Sequence, residues 1–176
     1  MVNGVAVGGG DYGVLVYARG QSYPKFFTNS SLPYYYFCAY DPNGNLYIDG
    51  YGSNFSTVWL AVLCNGSDTI VPLNVKEQIG YPGGLQWVGG LLALYDPHAS
   101  TLYRFAIRGS KAILKGTTSL EGGSDVSQFW IGGSVIVGGN YNADSVSYWK
   151  YPAGGAAFAT ISNVDTPQGV VVSRRR

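Results

Sequence analysis

The chain has 176 residues, of which 26 are Gly and 15 are Tyr, whereas only 12% carry a charge. Long amphipathic helices rarely have this composition, because Gly weakens helices and their solvent-facing side needs charged or polar residues. The apolar residues make up 46% of the chain and are spread evenly. No apolar run approaches the roughly 18 residues of a membrane-spanning helix, so we expect a soluble β-rich domain and no membrane partner.

The net charge of +1 depends on the last three residues, Arg174, Arg175 and Arg176. Without them, eight basic residues remain against ten acidic ones, and such a surface does not attract a phosphate backbone. We therefore expect no nucleic-acid partner and interpret residues 174–176 as a solvated basic tail. The low charge, with many Gly, Ser, Asn and Tyr residues, is typical of exported bacterial β-proteins. We expect an exported protein whose leader is absent from the sequence.

The sequence repeats itself four times with a period of 44 residues, and 176 is four times 44. Each repeat contains two apolar strands in succession. The first of the two reads GVAVGG at 4–9, NLYIDG at 45–50, LLALYD at 91–96 and SVIVGG at 134–139. The second ends at a turn glycine, which is Gly20, Gly66, Gly109 or Gly154. Glycine supplies the positive φ that a tight hairpin turn requires.

A more polar β-rich stretch after each hairpin predicts an outer strand. An inner strand precedes the last three hairpins, as YYFCAY at 35–40, GLQWVG at 84–89 and SQFWIG at 127–132. The first repeat has no inner strand, whereas TPQGVVVS at 166–173 matches an inner strand with nothing after it. Adding this segment to the first repeat would give every repeat four strands and leave no unpaired edge.

We therefore predict an all-β fold, a four-bladed β-propeller of four-stranded antiparallel blades, closed by a C-terminal strand that completes the N-terminal blade. The predicted domain covers residues 1–173, with blades at 166–173 plus 4–31, 34–76, 82–120 and 126–163. An open four-repeat solenoid or a β-sandwich is the alternative.

Within residues 35–52, the segment FCAYDPNGNLYIDGYG resembles the NHL-type propeller repeat. It is also similar to the related repeats of gluconolactonase-like and streptogramin-lyase-like proteins, in which a D-P-x-G turn precedes N-L-Y-V. These families usually have six or seven blades, so two assemblies stay open for a chain of four repeats. One is a monomeric four-bladed ring, which we favour, and the other is an eight-bladed homodimer whose two chains exchange closing strands.

The resemblance implies that a ligand binds at one mouth of the ring, where the loops before the inner strands meet the loops between the second and third strands. In these loops we expect a small polar ligand, a glycan or a protein to contact Tyr34, Tyr81, Glu77, Glu121, Asp125 and Asp165. Tyr offers a flat apolar face and a polar tip, which suits sugars and protein surfaces.

Glu77, Glu121 and Asp165 stand 44 residues apart in three consecutive repeats. Arrayed around one mouth, their oxygens could hold Ca²⁺, and otherwise they are solvated loop carboxylates. His98 is the only histidine and lies in the turn-like segment YDPHAS, where we expect an exposed residue. The sequence gives no basis for proposing a Ser-His-Asp or Cys-His arrangement.

We therefore predict a non-enzymatic binding or scaffolding propeller that needs no cofactor. The alternative is a divalent-metal-dependent hydrolase or lyase that uses the same carboxylates, as the resemblance to gluconolactonases and streptogramin lyases implies.

The two cysteines, Cys38 and Cys64, fall on the first and third strands of one repeat. Neighbouring strands lie about 4.8 Å apart, so two steps make roughly 10 Å, beyond the reach of a disulfide. We predict that these two residues are not bonded to each other.

Overall fold

A computed structural model describes residues 4–8, 13–18 and 20–173, with side chains described from residue 13 onward. Every regular element in this part of the chain is a strand, and no helix there is long and apolar enough to cross a membrane. The predicted basic tail, residues 174–176, lies outside the described residues. The first seven strands are β1 (Gly4–Gly8), β2 (Val14–Ala18), β3 (Lys25–Phe27), β4 (Tyr34–Tyr40), β5 (Leu46–Tyr51), β6 (Val58–Leu63) and β7 (Ile70–Val75). The others are β8 (Leu85–Val88), β9 (Leu91–Asp96), β10 (Thr101–Arg108), β11 (Lys111–Ser119), β12 (Val126–Gly132), β13 (Val135–Asn140), β14 (Ser145–Lys150) and β15 (Ala159–Ser162).

The strands form four antiparallel meanders that follow the four sequence repeats. The first has three strands, β1-β2-β3, and the last has four, β12-β13-β14-β15. The two middle meanders, β4 to β7 and β8 to β11, join through a short parallel pairing of β7 with β11 into one eight-stranded sheet. The predicted all-β class is confirmed. For simplicity we call the four meanders sheets 1 to 4.

The turn glycines have the backbone conformation that the repeat predicts. Gly20, Gly66, Gly109 and Gly154 have φ values of 75°, 79°, 56° and 72°. Non-glycine residues adopt this region only at a cost, so the repeated glycine marks the repeated hairpin end.

Apolar packing between successive sheets forms the core. A first cluster joins sheets 1 and 2, a second joins sheets 2 and 3, and a third joins sheets 3 and 4. Typical members are Val14 with Ile48 in the first, Leu60 with Leu94 in the second, and Tyr95 with Trp149 in the third. All six side chains are 0% or 1% exposed. Each inner strand accordingly lies beside the inner strand of the next sheet, with β4 next to β8 and β8 next to β12.

In the part of the chain that the structure describes, the predicted closing strand is not formed, so the prediction that it completes the N-terminal blade is wrong there. Residues 163–173 contain no strand, and the described residues of sheet 1 form three strands. The segment instead runs over the face of sheet 4 that points away from sheet 3. There the N–H groups of Val164 and Thr166 donate to the main-chain oxygen and side chain of Asp144, both at 2.9 Å, and Pro167 lies against Gly139.

The physical reason is that closure requires sheet 4 to pack on sheet 1. Among the described residues, the three apolar clusters join only sheets that follow one another in the chain. Counting strands along the sequence predicts the hairpins of each sheet but carries no information on the angle between sheets.

The two cysteines form no disulfide with each other, as predicted. Cys38 lies on β4 and Cys64 follows β6, so β5 separates them. Cys64 is exposed, whereas burial, with a further contribution from the Asp49 carboxylate, raises the pKa of the Cys38 thiol to about 11.

We expect the native protein to show two thiols that react at very different rates. At pH 8 the thiolate fraction of Cys38 is about a hundredfold below that of an ordinary thiol, and burial slows it further. Titration with a thiol-reactive dye should therefore give one fast and one slow phase, and Cys64→Ser should remove only the fast phase. Two equally fast phases, or no free thiol in a monomer, would contradict the placement of these residues.

Candidate functional site

Six aromatic rings form a continuous row at one end of sheets 2 and 3, which we call the aromatic row. The rings of Tyr34 and Phe55 stack at 4.3 Å between centroids, and Phe55 continues to Tyr51 at 5.8 Å. From Tyr51 the row extends to Tyr81 at 5.4 Å. The complete row consists of Tyr34, Phe55, Tyr51, Tyr36, Tyr81 and His98.

Local strand geometry brings the first rings of this row together. Tyr34 begins β4 and Tyr51 ends β5, and the antiparallel register pairs these two residues directly. A register shift between Tyr35 and Cys38 interrupts the ladder at Tyr36. Tyr35 and Tyr36 are neighbours in the strand and point to opposite faces, so Tyr35 is buried in the first cluster while Tyr36 is 37% exposed.

Asp96 fixes the two loops that carry the other end of the row. Its side chain is 1% exposed and accepts hydrogen bonds from the N–H groups of Gly80 (2.7 Å), His98 (3.0 Å) and Ala99 (3.3 Å). The first of these lies before β8 and the other two lie between β9 and β10. One buried carboxylate therefore holds Tyr81 and His98 with their rings 5.0 Å apart.

Tyr51 is the most buried ring in the row and is a hydrogen-bond donor. Its hydroxyl donates to the main-chain oxygen of Gly80 at 3.3 Å. Burial, together with the neighbouring Tyr81, Tyr36 and Asp96, raises the pKa of Tyr51 to about 12. The row is therefore uncharged at Tyr51 at physiological pH.

A pocket of about 300 Å³, the mouth pocket, begins where the aromatic row ends. Its walls come from the loop before β8, the turns between β9 and β10 and between β13 and β14, the loop before β12, and the C-terminal segment. Asn142 donates to the Asp125 carboxylate at 2.8 Å on one wall. The lining residues are Tyr81, Pro97, His98, Ser124, Asp125, Ser127, Tyr141, Asn142 and Gln168.

A second cavity, of about 500 Å³, lies along the inner strands and is called the central cavity here. Residues of β4, β8 and β12 line it, and Val170 and Val171 of the C-terminal segment close one side. The C-terminal segment therefore contributes to both cavities.

The structure brings some of the six predicted site residues together and leaves others apart. Tyr34 and Tyr81 belong to the aromatic row, and Tyr81 and Asp125 line the mouth pocket. Glu121 and Asp165 are exposed. Glu77 is half-buried, and its Oε2 atom is buried without a hydrogen-bond partner.

The predicted triad of Glu77, Glu121 and Asp165 occupies equivalent loops but forms no metal-binding group. Within the described part of the chain, no three His, Cys, Asp or Glu residues come close enough to hold a metal ion. Equivalent positions in stacked sheets lie about 10 Å apart, whereas Ca²⁺ binds its oxygen ligands at about 2.3–2.6 Å. A regular sequence spacing therefore places such residues in a row rather than around one ion.

The structural role of Asp96 was missed by the sequence reasoning, although the sequence carried a signal for it. Asp96 and Asn140 stand 44 residues apart, each as the polar last residue of an otherwise apolar strand. Both are buried, and Asn140 donates to Ser147 Oγ at 2.9 Å. Polar residues at equivalent buried strand ends indicate fixed turns beside the mouth.

Comparison with solved structures identifies the fold. A functionally unknown protein from Desulfotomaculum acetoxidans DSM 771 matches 99% of this chain with a TM-score of 0.67 and 13% identity. A chain of the nidogen/laminin complex matches 94% with a TM-score of 0.70 and 11% identity. The WD40 β-propeller domain of Doa1 matches 92% with a TM-score of 0.62 and 13% identity.

These likenesses show a β-propeller-like fold. The chain spans 58%, 64% and 52% of the lengths of these three neighbours. No protein-family model and no curated protein sequence matches the chain, so the resemblance to NHL-type repeats stays a prediction.

Asp49 is a buried carboxyl beside the bulge of β4. It is 0% exposed, and its Oδ1 atom accepts a hydrogen bond from the N–H of Phe37 at 2.8 Å. Burial raises the pKa of Asp49 well above its usual value, although the N–H groups of Phe37 and Gly83 oppose this shift.

We expect Asp49 to make the protein less stable as the pH rises. Because its pKa is higher in the folded state than in the unfolded state, the folded state binds more protons between the two values. Stability is then greatest below the unfolded pKa of about 4 and falls as the pH rises through the folded pKa. Thermal melts between about pH 4 and pH 7 should show a smaller fall for Asp49→Asn than for the wild type. The exposed Asp165→Asn is the control, and parallel pH curves for all three proteins would show that Asp49 does not titrate in this way.

Proposed function

We propose that the protein is a non-enzymatic binding module of the β-propeller type that holds the end of a glycan in the mouth pocket. In this proposal sheets 1 to 4 are consecutive propeller blades, as the NHL-like segment at 37–52 also suggests. The observation that carries it is the pocket itself, where aromatic faces and polar side chains converge on one space.

The chemistry of the lining suits a sugar. The C–H face of a pyranose packs on an aromatic ring, and its hydroxyl groups need both donors and acceptors. Tyr81 and Tyr141 supply rings, and the paired side chains of Asp125 and Asn142 supply an acceptor and donors. Gln168 adds a side-chain amide, which can both donate and accept hydrogen bonds.

Size and charge narrow the ligand class further. The volume of about 300 Å³ lies at the small end of ligand pockets, which suits a short glycan end rather than a large cofactor. The described lining contains no Lys or Arg, so an anionic ligand would find no counter-charge there. A neutral sugar meets these conditions.

We expect a panel of neutral mono- and oligosaccharides to include at least one that raises the melting temperature and binds in titration calorimetry. Tyr141 is 41% exposed, so Tyr141→Ala should fold normally yet weaken binding about tenfold, the equivalent of about 1.4 kcal/mol. Asn142→Ala, which removes the donor to Asp125, should weaken it as well. Tyr23→Ala is the matched control, because Tyr23 is 87% exposed and does not line the pocket.

Two results would count against the proposal. One is a sugar whose binding is unchanged in Tyr141→Ala, because the ligand would then bind elsewhere. The other is a protein that no sugar stabilises but that purifies with a stoichiometric divalent metal, because this would favour the metal-dependent hydrolase or lyase.

A further inference from the structure

The side of sheet 4 that points away from sheet 3 is an apolar face, which we call the open face, and no sheet of the described residues packs against it. Ser147 and Trp149 of β14 point toward sheet 3 and are buried, so the alternating residues Val146 and Tyr148 point the other way. Ile161 pairs with Val146 in the ladder and is 51% exposed. Phe158, which contacts the Tyr148 ring at 6.3 Å, is 54% exposed.

Sheet 1 carries a matching apolar face. Val14 and Phe27 are paired and point into the first cluster toward sheet 2. Leu15 and Phe26, the next pair, therefore point away from sheet 2, and Phe26 is 50% exposed. Sheets 1 and 4 thus each present an apolar face, whereas sheets 2 and 3 bury both of their faces against neighbouring sheets.

Residues 166–173, which we call the free arm, behave as an unpaired strand. In the described part of the chain, residues 167–173 make no backbone hydrogen bond. Val171 and Val172 are 79% and 42% exposed, and the run of three valines favours a strand. In sheet 1, β1 pairs with β2 alone among the described residues, whereas its counterparts β5, β9 and β13 each also pair with an inner strand.

We propose that a second copy of this chain covers the open face, with sheet 1 of each copy packed on sheet 4 of the other. The free arm of one copy then pairs along β1 of its partner and supplies the missing inner strand. Two such contacts, related by a two-fold axis, cover both apolar faces and both unpaired edges and give a closed ring of eight blades.

A second copy fits because one chain carries both halves of the contact but does not join them within itself. The arm already lies near the axis, since Val170 and Val171 line the central cavity beside β4 and β12. The dimer would therefore also complete the central cavity.

Light scattering coupled to size-exclusion chromatography tests this. The full chain should elute at twice 18.8 kDa and dissociate on dilution. Val171→Asp places a charge in the new strand pairing and should raise the dissociation constant at least about tenfold without changing the circular dichroism spectrum. Val71→Asp is the matched control, because Val71 is 40% exposed on β7, away from both faces.

Hydrogen exchange locates the contact. Protection of the amides of residues 167–173 should appear as the protein concentration rises and should vanish in Val171→Asp. A wild-type chain of 18.8 kDa at every concentration would overturn the proposal, as would a dimer unaffected by Val171→Asp or an arm that never becomes protected. Sugar binding at the mouth pocket is measured separately, and its loss or persistence does not bear on the dimer.

Discussion

Apolar packing between successive sheets is the interaction on which the rest of the structure depends. Each meander is a single sheet whose strands carry apolar residues on both faces. Each face is therefore stabilised by burial against a neighbouring sheet. Sheets 2 and 3 bury both faces, through pairs such as Ile48 with Val14 and Leu94 with Leu60. Sheets 1 and 4 bury one face each, and Phe26 and Ile161 stay exposed on the other. Among the described residues, one face of sheet 1 and one face of sheet 4 therefore lack the packing partner that the other faces have.

The packing also creates the candidate binding site. Stacking brings the loops of neighbouring sheets to one end, where aromatic side chains from several loops can touch. Short buried polar contacts then set the details, because the Asp96 side chain holds two of these loops together. The stable strands provide the framework, and the mouth pocket is formed by turns that are free to differ in sequence.

The sequence predicts what repeats and misses what depends on three-dimensional geometry. Each of the four hairpins ends at a glycine because its turn needs a positive φ: Gly20, Gly66, Gly109 and Gly154. This requirement depends only on the turn itself, so the sequence shows it directly. Ring closure is not local, so the strand-like TPQGVVVS does not reach β1. Likewise, the 44-residue spacing places Glu77 and Glu121 in equivalent loops but gives no distance between them. Tyr81 and Asp125 come together because their loops share one pocket.

The central claim, that each sheet is stabilised by the sheet packed against it, can be tested by amide hydrogen exchange on Leu94→Ala. Leu94 is 0% exposed on β9 and packs in the cluster between sheets 2 and 3, so its truncation should cost about 2–5 kcal/mol. The account predicts that the slowest amides of β5 and β6 lose protection together with those of β9 and β10. Loss confined to β9 and β10, with β5 and β6 unchanged, would show that the sheets are stable independently and would contradict it.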